Sequence, residues 1–193
     1  MNSALIFLLD TFSRLYLFIL LLRFWLPLLR ANFRNPVAQG VMRYTSPLVT
    51  PVRRYVPSIG RLDSATVLIA FLIQLGVSYL IMTLKLVDLD TFSLAILTSG
   101  QTFFALAMQA IVELAMLSVF LFIVAIIVRI VLGLIGRYFG PISDILVDLT
   151  EPLLRPVRKI IPPLGVVDIS AYIVIVLLMA LNMILADLLP MGR

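Results

Sequence analysis

The chain has 193 residues, of which 62% are hydrophobic and only 13% are charged. In a soluble domain about a quarter of the residues are charged, so this balance excludes that class and indicates an integral membrane protein. The formal net charge is +5, which beside membrane spans is typical of topology signals and anionic-lipid contact and does not require nucleic acid. Histidine and cysteine are both absent, which excludes disulfides, thiol chemistry, His or Cys metal sites and the usual haem ligands within this chain.

Four stretches are long and apolar enough to form membrane-spanning helices, each of which needs roughly 20 mostly apolar residues. They lie at residues 4–29, 64–84, 109–134 and 169–189. The first stretch carries Asp10, Arg14 and Arg23 and lacks both a preceding basic segment and a small-residue cleavage site. We therefore predict a retained span there and not a secretion signal.

Residues 91–108 leave the number of spans open, because they are apolar enough to form a fifth one. A fifth span would put the two basic segments of the chain on opposite sides of the membrane, against the tendency of such segments to stay in the cytoplasm. We favour four spans, with this stretch as an interfacial or re-entrant piece or as an extension of the third span.

A phrase of 19 residues occurs twice, at 45–63 and 150–168, with nine identical positions. The identical pairs are Thr45 and Thr150, Pro47 and Pro152, Leu48 and Leu153, Pro51 and Pro156, Val52 and Val157, Arg53 and Arg158, Pro57 and Pro162, Gly60 and Gly165, and Asp63 and Asp168. Each copy lies between two predicted spans, and such self-similarity indicates an internal repeat. We predict an all-α membrane protein with two parallel repeats, each made of a span, interfacial proline-rich helices and a second span.

The repeats are expected at residues 1–88 and 109–193, with a connector at 89–108. Between the spans of the first repeat lie six arginines, and between those of the second lie three arginines and one lysine. Because basic connections remain in the cytoplasm, we predict that both motif segments face the cytoplasm and that both termini are periplasmic.

Prolines divide each motif segment into predicted short amphipathic helices. The first begins at Pro36 or Pro141, with Val37, Val41 and Tyr44 on the apolar face of the first copy and Ile142, Ile145, Leu146 and Leu149 on that of the second. A second helix is expected to begin at Pro51 or Pro156 and to end at Pro57 or Pro162. Asp63 and Asp168 precede the next spans, where each is expected to cap a helix N-terminus.

The basic residues of the motif are candidates for contact with lipid phosphate or with a protein partner. They are Arg53, Arg54, Arg155, Arg158 and Lys159. An arginine fork can bind phosphate through two parallel hydrogen bonds, and cations near an anionic leaflet are each stabilised by about 1 kcal/mol. The alternative is that they only determine topology and anchor the segment.

Polar residues within the spans are functional candidates because each is costly in hydrocarbon. They are Asp10, Arg14, Gln74, Glu113 and Asn182. Asp10 and Arg14 are four residues apart and can neutralise one another, and the two amides can bridge helices. Arg23 and Arg129 are expected to snorkel toward the inner headgroups.

The two motif copies resemble the YggT family of bacterial inner-membrane proteins. The resemblance lies in Pro47-Leu48 through Arg53-Arg54, Pro57, Gly60 and Asp63-Ser64, and in Pro152 through Lys159, Pro162, Gly165, Asp168 and Ser170. It implies a two-repeat inner-membrane protein of a family associated with osmotic or potassium stress, with cell division and nucleoid distribution and, in plastids, with cytochrome complex assembly. It implies no catalytic residue.

From these observations we expect a non-enzymatic assembly or scaffold factor without a cofactor. Its partners would be anionic lipid of the inner leaflet and a partner protein or a second copy of the chain, with no nucleic acid. A component of ion transport is the alternative function.

Overall fold

The structure, a computed structural model, describes residues 2–58, 60, 62–87, 99–135, 140–160 and 168–189. Six helices lie in these ranges: α1 (Asn2–Leu28), α2 (Pro36–Arg53), α3 (Ser64–Val87), α4 (Ser99–Ile135), α5 (Pro141–Ile160) and α6 (Ile169–Asp187). Four are long and apolar enough to cross a membrane, over Ala4–Leu28, Ser64–Leu84, Phe103–Ile135 and Ile169–Asp187. The prediction of an all-α membrane protein with four principal spans is confirmed.

The stretch that could have formed a fifth span is divided between described and undescribed residues. Residues 99–108 form the N-terminal part of α4, and residues 88–98 lie outside the described part of the chain. We refer to α1, α2 and α3 as the first half and to α4, α5 and α6 as the second half. Both halves have the same order of a long apolar helix, an amphipathic helix and another long apolar helix.

The four apolar helices pack most closely within their own halves. In the first half α1 packs on α3, and in the second half α4 packs on α6. The halves are joined by packing of α3 on α4 and by an edge-to-face contact between the rings of Trp25 and Phe122, whose centroids are 4.9 Å apart. By contrast, α1 and α6 have almost no direct contact among the described residues. A gap is therefore left between the first and last spans.

Each proline-rich segment forms one continuous helix, so the predicted division into two short helices is wrong. Pro47 and Pro51 lie inside α2, and Pro152 and Pro156 lie inside α5. A proline within a helix removes the hydrogen bond to the carbonyl four residues earlier and ordinarily costs about 3 kcal/mol. All four prolines are exposed, and their spacing of four residues puts each pair on one helix face. The carbonyls that they free therefore face water or headgroups, while the opposite face packs and holds the helix together.

The buried face of α2 also differs from the prediction. Ala38, Thr45 and Val49 are buried, whereas Tyr44, which was expected on the apolar face, is 79% exposed. In α5 the buried face agrees better with the prediction, because Ile145 and Leu149 are both buried. A threonine on the packed face is not recognised by an apolar pattern, although it makes that face a polar contact surface.

The two motif helices meet at the same end of the bundle. The side chain of Asn35 caps α2 by accepting from the amide of Val37, and its Nδ2 donates to the carbonyl oxygen of Pro141 at 2.6 Å. The amide of Asn32 donates to Oδ2 of Asp148 at 3.0 Å. These bonds place the N-terminal ends of α2 and α5 side by side. Two spans, α3 and α4, separate the motif helices, which allows both to lie at the same end of the bundle. An odd number of spans between them would put them at opposite ends.

Single cysteines at positions 54 and 159 should therefore be labelled from the same side of the membrane. The chain has no cysteine of its own, so Arg54→Cys and Lys159→Cys can be probed separately with an impermeant maleimide in right-side-out and inside-out vesicles. Leu188→Cys, at the opposite end of α6, should be labelled from the other side. Labelling of positions 54 and 159 from opposite sides would contradict this arrangement.

Candidate functional site

In both halves the arginine and the aspartate of the motif pair with one another. Nη2 of Arg53 lies 2.6 Å from Oδ2 of Asp63. Nε of Arg158 donates to Oδ2 of Asp168 at 3.0 Å, and its Nη2 bonds the same oxygen. Each pair joins the C-terminal end of a motif helix to the first residue before the next span. The motif arginines thus have an intramolecular role that the sequence analysis did not anticipate.

In the first half a buried arginine from α1 joins this pair. Arg23 is only 4% exposed. Its Nη1 donates to Oγ1 of Thr45 at 2.8 Å and to the carbonyl oxygen of Met42 at 3.1 Å, and its Nε lies 3.5 Å from Oδ2 of Asp63. The expectation that Arg23 snorkels to the headgroups is wrong, because its guanidinium group is held inside the end of the bundle.

The second half contains the matching arginine with one more carboxylate. Nη1 of Arg129 donates to Oγ1 of Thr150 at 2.7 Å, and its Nη2 lies 3.0 Å from Oε2 of Glu151. Glu151 also accepts from Arg158 at 3.1 Å. With Asp168, the second cluster therefore contains two arginines and two carboxylates.

The first cluster lacks the counterpart of Glu151. The matching position in the motif is Ser46, whose Oγ lies 3.4 Å from Nη1 of Arg23. Two arginines thus share the single carboxylate of Asp63, and the first cluster has a net charge of about +1 where the second is close to neutral. The halves have the same plan but differ in charge.

Both motif aspartates are held in the charged form. Burial by itself raises the pKa of Asp63, but hydrogen bonds from Thr66 and Arg53 and the charges of Arg53 and Arg23 outweigh it, so that the pKa lies below the ordinary 3.8. For Asp168 burial again raises the pKa, and the hydrogen bond and charge of Arg158 with a further bond from Ser170 bring it below 3.8. Near neutral pH both groups are ion-pair acceptors.

The predicted capping role differs between the two aspartates. Asp168 is the N-cap of α6, and its Oδ1 accepts from the amide of Ser170 at 3.1 Å. Asp63 precedes α3, but its carboxylate accepts from the hydroxyl of Thr66 at 2.8 Å. Its buried Oδ1 has no hydrogen-bond partner among the described residues. Asp63 is thus mainly an ion-pair partner, whereas Asp168 both pairs and caps.

The remaining motif candidates are more exposed. Arg54, Arg155 and Lys159 are all exposed, and among the described residues none of their side chains forms an ion pair. Gly60 has a φ of 62°, a left-handed conformation that glycine adopts without strain. Pro57 is also exposed. Pro162 and Gly165 lie outside the described residues.

Three members of the clusters are not predicted from the sequence as partners of arginines: Thr45, Thr150 and Glu151. A signal was available, since both threonines are identical positions of the phrase and an arginine precedes each by a similar distance along the chain, 22 residues for Arg23 and Thr45 and 21 residues for Arg129 and Thr150. What the sequence does not give is the direction of a buried side chain. For this reason the sequence alone does not predict that the arginines of the spans bond to the threonines of the motif.

A second group of polar residues surrounds the gap between α1 and α6. This cavity has a volume of about 710 Å³ and includes Arg14, Gln74, Glu113 and Asn182 among its lining residues. Arg14 pairs with Asp10 at 2.9 Å, and both are partly exposed. The structure thus brings together polar residues from all four spans.

Amide groups hold the carboxylate of Glu113 at the edge of this cavity. Its Oε1 accepts from Nε2 of Gln109 at 2.9 Å, and its Oε2 accepts from Nε2 of Gln74. Asn182 donates to the carbonyl oxygen of Met116 at 3.4 Å, which links α6 to α4. The two amides Gln74 and Asn182 therefore each bridge two helices.

These features define a class of α-helical membrane protein, with four spans and two proline-rich motif helices joined to the spans by arginine–carboxylate clusters. A family model described as CCB3/YggT matches residues 2–84 and 108–189. The chain belongs to this family.

Curated relatives match over almost the whole chain. The chain is 32% identical over 187 residues to "Uncharacterized protein YggT" of Escherichia coli (strain K12), which covers 97% of the chain and 92% of that protein. It is 35% identical over 189 residues to "Uncharacterized protein PA0392" of Pseudomonas aeruginosa, with 97% and 90% covered. A Vibrio alginolyticus "Uncharacterized protein in proC 3'region" is 32% identical over 190 residues, with 97% and 96% covered. No solved structure matches the chain.

Asp168→Asn should lower the stability of the protein in detergent at pH 7 by about 1–3 kcal/mol, because it removes the charged acceptor of Arg158. In the parent protein the depressed pKa contributes stability that is fully present above the ordinary carboxyl pKa. It is lost as the pH falls through the lower folded-state value.

Thermal unfolding followed between pH 7 and pH 3 would measure both effects. The unfolding temperature of the parent should fall more steeply below about pH 4 than that of Asp168→Asn. Asp187→Asn changes an exposed carboxylate at the other end of α6 and should behave like the parent. Equal acid sensitivity of the parent and Asp168→Asn would refute a stabilising role for this pair.

Proposed function

We propose that the protein is a non-enzymatic assembly or scaffold factor of the inner membrane, and that its basic motif face contacts anionic lipid or a protein partner. The observation that carries this proposal is the exposure of Arg54, Arg155 and Lys159 at the end of the bundle where α2 and α5 meet. These cations have no ion-pair partner among the described residues, so they are free to bind an external anion. The motif side chains Arg53 and Arg158, by contrast, are engaged within the fold.

Aromatic side chains beside these cations support a position at headgroup depth. Tyr55 follows Arg54 directly and is 86% exposed, and Tyr44 is exposed on α2. Tyrosine is enriched where a membrane meets water, because its ring is apolar and its hydroxyl is polar. Cations at this depth lie level with lipid phosphates, each with a gain of about 1 kcal/mol near an anionic leaflet.

The state of the motif carboxylates supports a non-enzymatic role. An acid or base catalyst works best with a pKa near the working pH. The arginine pairs hold the pKa values of Asp63 and Asp168 below the ordinary range, so both groups are poor proton carriers at neutral pH. A link to cell division or envelope stress, which the resemblance implies, would follow if the motif face recruits a partner protein or a second copy of the chain.

The triple variant Arg54→Gln, Arg155→Gln, Lys159→Gln should retain fewer phosphatidylglycerol molecules than the parent. Loss of three cations, each with about 1 kcal/mol of lipid interaction, should weaken retention by roughly 100-fold. Native mass spectrometry of the protein released from mixed bilayers would count the bound lipids. The unfolding temperature should be unchanged, because these side chains form no ion pair within the described part of the fold.

The charge-preserving variant Arg54→Lys, Arg155→Lys, Lys159→Arg is the matched control and should retain lipid like the parent. Undiminished retention by the glutamine variant, with normal topology, would remove the lipid part of the proposal. Capture of a partner protein that depends on the same three residues would then support the partner alternative.

A component of ion transport is a second candidate, favoured by the cavity between α1 and α6. A carboxylate, two amides and an arginine line a cavity of about 710 Å³ at membrane depth, and intramembrane polar groups often mark ion pathways. Against this, the carboxylate of Glu113 is already bonded by two glutamine amides. Such bonding makes a helix-bridging role sufficient to explain the residue.

Potassium flux in proteoliposomes separates the two candidates. Under a potassium gradient the scaffold proposal predicts no flux above that of empty liposomes. The transport alternative predicts flux that Glu113→Gln abolishes and that Asp187→Asn, an exposed carboxylate outside the cavity, leaves intact. Flux with this pattern would overturn the scaffold proposal.

A further inference from the structure

A groove lies beside the arginine cluster of the first half, and charged residues line it. It has a volume of about 510 Å³, within the range of ligand sites in proteins. Its lining residues are Pro27, Arg30, Ala31, Phe33, Arg53, Ser58, Gly60 and Asp63. We call it the first-half groove. Two guanidinium groups and one hydroxyl group line it beside a single carboxylate.

That carboxylate does not cancel the positive charge of the groove. Asp63 already accepts from Arg53 and Thr66 and lies 3.5 Å from the buried Arg23. Only Nη2 of Arg53 bonds Asp63, and the side chain of Arg53 is 49% exposed. An arginine has five N–H donors, so Arg53 keeps donors for a second anion. Arg30 lines the same groove, so the groove and the adjacent buried Arg23 together have three arginines and one aspartate.

The backbone of Arg30 gives independent support for a ligand. Arg30 has a φ of 61°, in the left-handed region that glycine adopts freely and other residues adopt at a cost. It lies in the turn that ends α1, where the amide of Ala31 donates to the carbonyl oxygen of Leu26 at 2.9 Å. Glycine is the usual residue at such a turn. An arginine held there in a strained conformation, at the edge of an arginine-lined groove, points to use of its side chain.

The second half differs at both features. Seven residues after Arg129 the sequence has Gly136, whereas seven residues after the matching Arg23 it has Arg30. Glu151, in the position matching Ser46, binds both Arg129 and Arg158. The arginines of the second cluster are therefore balanced within the protein.

We infer that the first-half groove binds a phosphate group through Arg30 and Arg53, and that the described residues of the second half form no equivalent site. A phosphate offers oxygens to two guanidinium forks and to the hydroxyl of Ser58, and paired arginines are suited to such bidentate recognition. The phosphate can belong to a lipid headgroup or to a soluble phosphate. The inference rests on the proposed function in taking the motif face as the surface that meets anions, but it uses different residues.

The test compares three variants with the parent protein in detergent. Arg30→Gly removes one fork and relieves the left-handed strain, so it should weaken phosphate binding about tenfold without lowering the unfolding temperature in ligand-free buffer. Ser46→Glu should place a carboxylate beside Arg23 and weaken binding similarly. Glu151→Ser should leave the number of bound phosphates unchanged, because the second half has no arginine at the position matching Arg30. Arg43→Gln, which changes an exposed arginine of α2 that does not line the groove, is the control and should bind like the parent.

Two probes distinguish the sources of the phosphate. Inorganic phosphate is titrated by calorimetry, and short-chain phosphatidylglycerol is counted by native mass spectrometry beside a neutral glycolipid that has no phosphate. Binding of phosphatidylglycerol alone, lost in Arg30→Gly, supports a lipid headgroup. Binding of inorganic phosphate that competes with the lipid supports the same site and shows that it accepts soluble phosphate.

The inference is overturned if Arg30→Gly and Ser46→Glu bind both probes as tightly as the parent. This result is distinct from failure of the proposed function, which depends on Arg54, Arg155 and Lys159. Loss of lipid in the glutamine triple variant with unchanged binding in Arg30→Gly would refute the groove alone. Loss in Arg30→Gly with full retention in the triple variant would refute the exposed-cation contact and keep the groove.

Discussion

The need to neutralise buried arginine at one end of the bundle determines how the motif helices lie. A guanidinium group removed from water is costly unless it is paired and hydrogen-bonded. The buried Arg23 meets this need through Thr45 on α2 and Asp63 before α3, and the partly buried Arg129 is paired in the same way with Thr150 and Glu151 on α5. Each motif helix is thereby held against the first span of its half, and the motif's own arginine–aspartate pair holds it to the second. These polar interactions add to apolar packing, in which Val49 of α2 and Leu149 and Leu154 of α5 belong to hydrophobic clusters with residues of the spans.

This arrangement explains why the proline-rich phrase tolerates so many prolines within a helix. Thr45 and Val49 fix the packed face of α2, and the prolines stand on the exposed face, where solvent or headgroups can reach the freed carbonyls. A helix supported along one side does not need every backbone bond on the other. Each copy of the phrase therefore forms part of one helix that packs against the ends of two spans, with exposed basic residues near the C-terminal end of that helix.

The two halves share this plan and differ where the differences have chemical consequences. Packing of α3 on α4 closes one junction between the halves, while α1 and α6 leave a polar-lined cavity at the other. One cluster has Ser46 where the other has Glu151, and the residue seven positions after the arginine of the first span is Arg30 in the first half and Gly136 in the second. Among the described residues, the first cluster therefore has an excess of positive charge, and a cavity lies between α1 and α6.

The sequence by itself determined the membrane class, the four spans, the family and the candidate cations, because apolar length and basic excess are local properties that survive without knowledge of the fold. It did not determine that each motif is one helix, since the side of α2 on which Pro47 and Pro51 lie depends on what packs against the other side. Nor could it pair Arg23 with Asp63, which are 40 residues apart. It also could not distinguish Arg53, which pairs with Asp63, from Arg54, which has no ion pair among the described residues. Only the tertiary structure decides these points, because the energy of a charge depends on the distance to its partner and on its burial, and both are set by packing of distant segments.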